Sequence, residues 1–99
     1  MNLSHLTGQQ LSMARHALGL PNDKNTSYRN HYCAAPESPE HDLWEDMVAK
    51  GFAIKRINRK LWVGDMFFLT LSGGLAARLP GEHLSREEAQ QMREMETTL

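Results

Sequence analysis

Residues 51–71, GFAIKRINRKLWVGDMFFLTL, decide the fold. Phe52 to Ile57 reads as a β-strand with Phe52 and Ile54 on one face. Asn58 to Asp65 is polar and basic and ends in Gly64-Asp65, a turn dipeptide. Met66 to Leu69 is a second short run rich in strand formers. The stretch is therefore a hairpin with a basic tip, and Leu61-Trp62-Val63 either extends it or sits at its end. Gly51 closes whatever precedes it, and Thr70 is placed to cap whatever follows.

Upstream, Ser38 as N-cap and Pro39 as first residue open a helix running to Lys50. Glu40 and Asp42 suit its positive end and Lys50 its negative end, while Leu43, Trp44, Met47 and Val48 make its buried face. A first helix is predicted over 8–18. Thr7 and Gln10 form a capping box there, Leu6 and Leu11 a hydrophobic staple, and Leu11, Met13, Ala14, Ala17 and Leu18 an apolar stripe. Gly19 suits a left-handed C-terminal position and Pro21 blocks continuation. Between the two helices, residues 21–38 are rich in turn formers. Within them, 27–34 (SYRNHYCA) is either a short edge strand or an ordered loop laid on the core. A connection this long in a small domain is often functional.

Downstream, a short helix over 71–79 is expected to hold Leu75, Ala76 and Leu79 inward until Pro80-Gly81 stops it. Ser85 with Glu88 is a second capping box, opening a helix over 86–96 whose stripe is Ala89, Met92 and Met95, with Leu99 beyond. The order is helix, loop, helix, hairpin, helix, helix. It predicts an α+β, winged-helix-like domain over 1–82 with a C-terminal amphipathic helix over 83–99.

Composition narrows the classes. At 99 residues and 40% apolar content the chain is one small domain that buries about two-thirds of its unfolded surface, so a partner would help it. A net charge of −1 selects neither nucleic acid nor membrane. Cys33 is the sole cysteine, which removes intrachain disulfides and thiolate zinc sites and suits a reducing compartment. The N-terminal residues lack the basic-then-apolar pattern of a signal peptide, and no apolar run approaches about 18 residues. The expectation is a soluble protein of the cytoplasm, with no membrane partner.

Gly51, a wing at 57–65, and Leu69-Thr70-Leu71-Ser72-Gly73 resemble the end of a winged helix in MarR-type regulators. There a helix ends in glycine, two strands flank a polar wing, and Leu-Thr-x-x-Gly opens the next helix. Arg15-His16-Ala17-Leu18-Gly19-Leu20, Tyr28-Arg29-Asn30-His31-Tyr32, Met47-Val48 with Gly51, and Leu69-Thr70 together resemble a group of short phage and prophage proteins of unassigned function. That second resemblance spans 7–77 and implies an origin, and with it a bacterial host's cytoplasm, rather than an activity. A complete winged helix carries a helix-turn-helix before its wing. Here one helix of that trio is missing or replaced by residues 28–34.

Two sets of candidate residues follow. Lys55, Arg56, Arg59 and Lys60 cluster in the wing with Trp62 nearby, and these cations, with Arg29, are the candidates for phosphate contact with duplex DNA. The plainer reading is a charged hairpin tip that keeps an edge strand from pairing. The helix that should read bases carries Glu37, Glu40, Asp42, Glu45 and Asp46 against Lys50, a net of −4 across 37–50, and would repel a phosphate backbone. Its Glu45 and Asp46, with Trp62, are the candidates for binding a host or phage protein. In residues 28–32, Tyr28 and Tyr32 would anchor the loop while Arg29 and Asn30 satisfy backbone groups, or Arg29, Asn30 and His31 would contact nucleic acid.

His31 and Cys33 are too few for a metal site, the other histidines lack ligand spacing, and Ser72-Gly73-Gly74 lacks the length and lysine of a phosphate loop. No cofactor, metal or catalytic residue is expected, and the chain is read as a non-enzyme. The first expectation is a DNA-associated or regulatory protein working through its basic wing. The alternative is an accessory factor or inhibitor that binds a protein through the acidic helix face. Whether the wing cations and Arg29 share one continuous face separates the two. The stripe Ala89, Met92, Met95 would pack on the core or pair with a second copy as a homodimer.

Overall fold

A computed structural model describes residues 6–57 and 64–97. Helix α1 (Gly8–Leu18) begins as its caps dictate: Thr7 Oγ1 accepts the Gln10 amide at 3.1 Å, and Gln10 Oε1 accepts the Thr7 amide at 3.0 Å. Gln10 is fully buried because its other end is also used. Its Nε2 donates to the Leu43 carbonyl (3.1 Å) and to Asp46 Oδ2 (2.7 Å), tying α1 to α2 (Pro39–Ala49). Gly19 ends α1 at φ 81°, with Tyr28 so close that a Cβ there would sit 2.2 Å from its ring.

Residues 21–38 resolve into an ordered loop and a short strand, so both readings of this region hold in part. Asn22 folds the loop on itself, accepting the Lys24 amide and donating to the Gly19 and Thr26 carbonyls. Thr26 then bridges His83, and Ser27 Oγ accepts the Ser85 amide at 2.9 Å. Strand β1 (Tyr32–Ala34) follows as a sheet edge. Its register begins two residues earlier with a side chain. The buried Asn30 carboxamide donates to the Leu69 carbonyl at 3.0 Å and accepts the Leu69 amide at 2.9 Å. It pairs with strand β3 as a peptide group would.

The hairpin is β2 (Ala53–Ile57) and β3 (Asp65–Leu69), and the antiparallel sheet has the order β1-β3-β2. Ser38 caps α2 by accepting the His41 amide, with Pro39 at the first turn, as the sequence predicts. Trp44 of α2 is the centre of the core. It stacks on Phe67 of β3 (centroids 5.4 Å, 22°), and Tyr32 of β1 lies 5.2 Å from it. Ala14, Ala17 and Leu18 of α1 and Leu69 of β3 are fully buried around it.

Thr70 joins sheet to helices. Its hydroxyl donates to the Gly51 carbonyl (2.8 Å) and accepts the Gly73 amide (3.2 Å), capping α3 (Leu71–Ala77). The buried face of α3 differs from expectation. Gly73, Gly74 and Ala77 point inward, while Leu75 and Leu79 are 44% and 46% exposed and Ala76 is also exposed. The cause is close approach: a Cβ on Gly73 would lie 2.0 Å from the Phe52 carbonyl oxygen, and one on Gly74 would lie 2.7 Å from Met92 Sδ.

The helix also stops at Ala77 rather than at residue 79, because the Leu79 amide donates to the Glu82 carboxylate at 2.8 Å instead of continuing the ladder. Glu82 itself is held by a two-point pair with Arg15 of α1, whose Nη1 also donates to the Ala77 carbonyl. Helix α4 (Arg86–Thr97) starts at Ser85, whose hydroxyl accepts the Glu88 amide and donates to the Glu88 carboxylate. The Ser85 amide is taken by Ser27 instead of Glu88, which alters the expected capping box. Met92 is fully buried against Gly74, Ala89 and Met95 are half-buried, and Glu96 accepts both the amide and hydroxyl of Ser72. The chain is thus an α+β fold of four described helices and one three-stranded antiparallel sheet.

Candidate nucleic-acid interface

Strand alternation divides the wing cations between the two faces of the sheet. Partners across antiparallel strands share a face, and successive residues take opposite ones. Lys55 is paired with Phe67, which is fully buried under α2, so Lys55 belongs to the inner face. There its ammonium meets Glu45 of α2 at 2.7 Å, and this carboxylate pushes the lysine pKa up. Arg56, the next residue, is paired with Met66 and in turn faces Cys33, on the outer face. Arg56 and Cys33 are exposed, Met66 and Phe68 half-buried, and Ile54 buried. No described strand residue on this face is acidic, because Asp65 of β3 shares the inner face with Phe67 and bonds His41 at 2.6 Å.

Arg59, Lys60 and Trp62 lie outside the described residues. Arg29 is engaged with the backbone. Its Nε and Nη2 donate to the His16 carbonyl at 3.2 and 2.7 Å, neutralising the negative end of α1, and its guanidinium lies 5.3 Å from the Tyr28 ring centre. The expected structural role of Arg29 and Asn30 holds, and so does that of Tyr32. Tyr28 differs: its ring lies against Gly19 but is 62% exposed.

The acidic helix is partly neutralised. Asp46 pairs with Lys50 at 2.9 Å and accepts from Gln10, and Lys50 first and Gln10 second hold its carboxyl below the usual range. Glu45 takes Lys55. Glu37, Glu40 and Asp42 remain exposed, without a salt bridge among the described residues. The structure therefore joins candidates that the sequence kept apart, Lys55 with Glu45, and separates Lys55 from its neighbour Arg56.

Sequence reasoning did not single out the open cleft at the sheet's β1 edge, lined by His16, Arg29, His31, Tyr32 and Cys33. Its one sequence signal is the crowding of residues 28–32; the approach of His16 is tertiary, with its ring edge-on to Tyr32 at 5.8 Å. Among the described residues no three His, Cys, Asp or Glu side chains are grouped to hold a metal ion, and no helix is long and apolar enough to cross a membrane. Compared with protein-family models, curated proteins and solved structures, the chain matches none.

Proposed function

We propose that the protein is a non-enzymatic, nucleic-acid-associated regulatory protein that sets the outer face of its sheet, with the wing, against a phosphate backbone. One observation carries this reading: Arg56 stands exposed on a sheet face whose described strand residues include no carboxylate, while the acidic helix α2 lies over the opposite face. Arg29 borders the same outer face through His31 and Cys33, so Arg56, which has no salt bridge among the described residues, and the loop arginine flank one surface. Electrostatic attraction to phosphate supplies most of such affinity.

A winged-helix ancestry is supported by the sheet order β1-β3-β2 and the Thr70 cap on α3, with the departure that one helix rather than two joins β1 to β2. That departure and the acidic α2 argue against reading bases with a helix in the major groove. The phage or prophage setting, the cytoplasm of a bacterial host, remains what the resemblance implies. A homodimer through α4 would have to leave Met92 aside, since it packs in the chain's own core.

The test is fluorescence anisotropy of labelled random duplex DNA at low and near-physiological salt. The comparison variant carries Arg56→Ala, Arg59→Ala and Lys60→Ala. The expected result is binding that weakens steeply with salt, with a slope reduced by about 2–3 in the variant, near one unit per lost phosphate contact. No binding at low salt would end this reading. The second reading, an accessory factor meeting a basic protein surface, is favoured by exposed Glu37, Glu40 and Asp42 on α2. It would then be tested by retention of basic host proteins on the immobilised chain, and loss of that retention in Glu40→Gln with Asp42→Asn.

A further inference from the structure

We propose that the open cleft of about 370 Å³ between the C-terminal end of α1 and strand β1, lined by His16, Arg29, His31, Tyr32 and Cys33, binds a phosphate group. Its walls come from separate elements, with His16 on α1, Arg29 and His31 on the loop, and Tyr32 and Cys33 on β1. Every lining side chain is cationic, imidazole, phenol or thiol; none is a carboxylate.

The lining supplies hydrogen-bond donors from His16, Arg29, His31 and Tyr32 and no anionic group. An imidazole carries at least one N–H in either charge state, and a guanidinium carries five. Arg29 uses Nε and Nη2 on the His16 carbonyl, which leaves Nη1 with no hydrogen bond among the described residues. The His16 and His31 rings and the Tyr32 hydroxyl likewise make no hydrogen bond to a described residue. Burial first, and Glu40 second, push the Tyr32 phenol up, so it keeps its proton and donates.

The arginine is held ready. The His16 carbonyl and the Tyr28 ring fix its plane before any ligand arrives, which lowers the ordering cost of binding. Part of its charge answers the negative end of α1, and Glu40 acts on the neighbouring Tyr32, so binding of a lone phosphate is expected to be weak, on the order of millimolar.

The source of the phosphate rests on the nucleic-acid reading above; the site itself does not. Arg56 on β2 and Cys33 on β1 are two strand spacings apart, about 10 Å, so one nucleic-acid backbone lying on the outer face would reach both. A free phosphate monoester would use the cleft alone.

Amide and imidazole NMR shifts of the full chain, titrated first with inorganic phosphate and then with a short duplex oligonucleotide, test the site. The variants are His16→Gln with His31→Gln, Arg29→Lys (which keeps the charge and loses the fork), and Arg56→Ala as a control outside the cleft. The expected result is saturable shifts confined to the cleft with inorganic phosphate. They should weaken about 5- to 10-fold in the double histidine variant and in Arg29→Lys, and stay unchanged in Arg56→Ala. Absence of saturable cleft shifts, or shifts equal in all variants, overturns the proposal. A tighter response to the oligonucleotide, weakened by Arg56→Ala, assigns the phosphate to a backbone. Phosphate binding with no oligonucleotide binding keeps the cleft and overturns the nucleic-acid reading.

Discussion

The two faces of the sheet differ in how their charges are settled. On the inner face Lys55 meets Glu45, His41 meets Asp65, and Trp44 packs over the cross-strand pair Tyr32 and Phe67. On the outer face Arg56 stands exposed, beside a half-buried Met66 and an exposed Cys33. Lys55 and Arg56 are adjacent and both cationic, yet the period of a strand turns one towards Glu45 of α2 and leaves the other exposed on the opposite face. Charge clusters counted along a sequence mix these two roles; counted by face they separate.

The largest effect should come from breaking the inner face. Trp44→Ala is expected to cost about 3–5 kcal/mol, and Phe68→Ala on the outer face less than half of that, both measured by urea denaturation. Equal costs would erase the asymmetry. Asn30→Ala should cost about 2–3 kcal/mol, because it strands the buried amide and carbonyl of Leu69.

Acid tests the helical layer from another side. The Arg15 guanidinium holds the Glu82 carboxyl at about 2, well below its ordinary 4.5. A carboxyl depressed in the folded state stabilises above its unfolded value, and that contribution fades as pH falls from about 4.5 towards 2. Solvent reaches this pair only slightly, so about 2 kcal/mol should disappear across that window. In Glu82→Gln the urea midpoint should be lower at pH 7 and much flatter with acid; an equally steep decline would place the acid sensitivity elsewhere.

The smallest effects sharpen the comparison most. Glu45→Gln should change stability by no more than about 0.5 kcal/mol, since the pair is half-exposed, but it releases Lys55 and should strengthen low-salt DNA binding about twofold. Arg56→Ala should weaken that binding with no change in the urea midpoint. If Glu45→Gln left binding untouched, the inner-face cation would lie out of reach of nucleic acid altogether.

Helix α1 was legible to the residue because Thr7, Gln10 and Gly19 act within a turn of where they stand. Ser38, Gly51 and Thr70 were legible for the same reason. The buried face of α3 was not: leucines were expected inward, and only the nearness of the Phe52 carbonyl and Met92, from distant parts of the chain, makes glycine the residue that fits. For the candidate site, the basic run 55–60 was visible in sequence but read as one cluster; the pairing of Lys55 with Phe67 and of Arg56 with Met66 is what divides it. That Glu45 would lie over Lys55, and that His16 would meet residues 29–33, depends on packing between elements and left no local mark.

Asn30 also acts as an index mark. By taking both backbone groups of Leu69, one side chain fixes the count of the residues after it: His31 and Cys33 outward, Tyr32 and Ala34 inward. Deleting His31 while Asn30 held its place would shift that count by one. Tyr32 would leave Trp44 for solvent, and Cys33, now exposed, would turn into the core. Thiol labelling of the shortened chain would read the change directly, as lost reactivity at Cys33, and undiminished labelling would mean that the strand, rather than the amide, keeps the count.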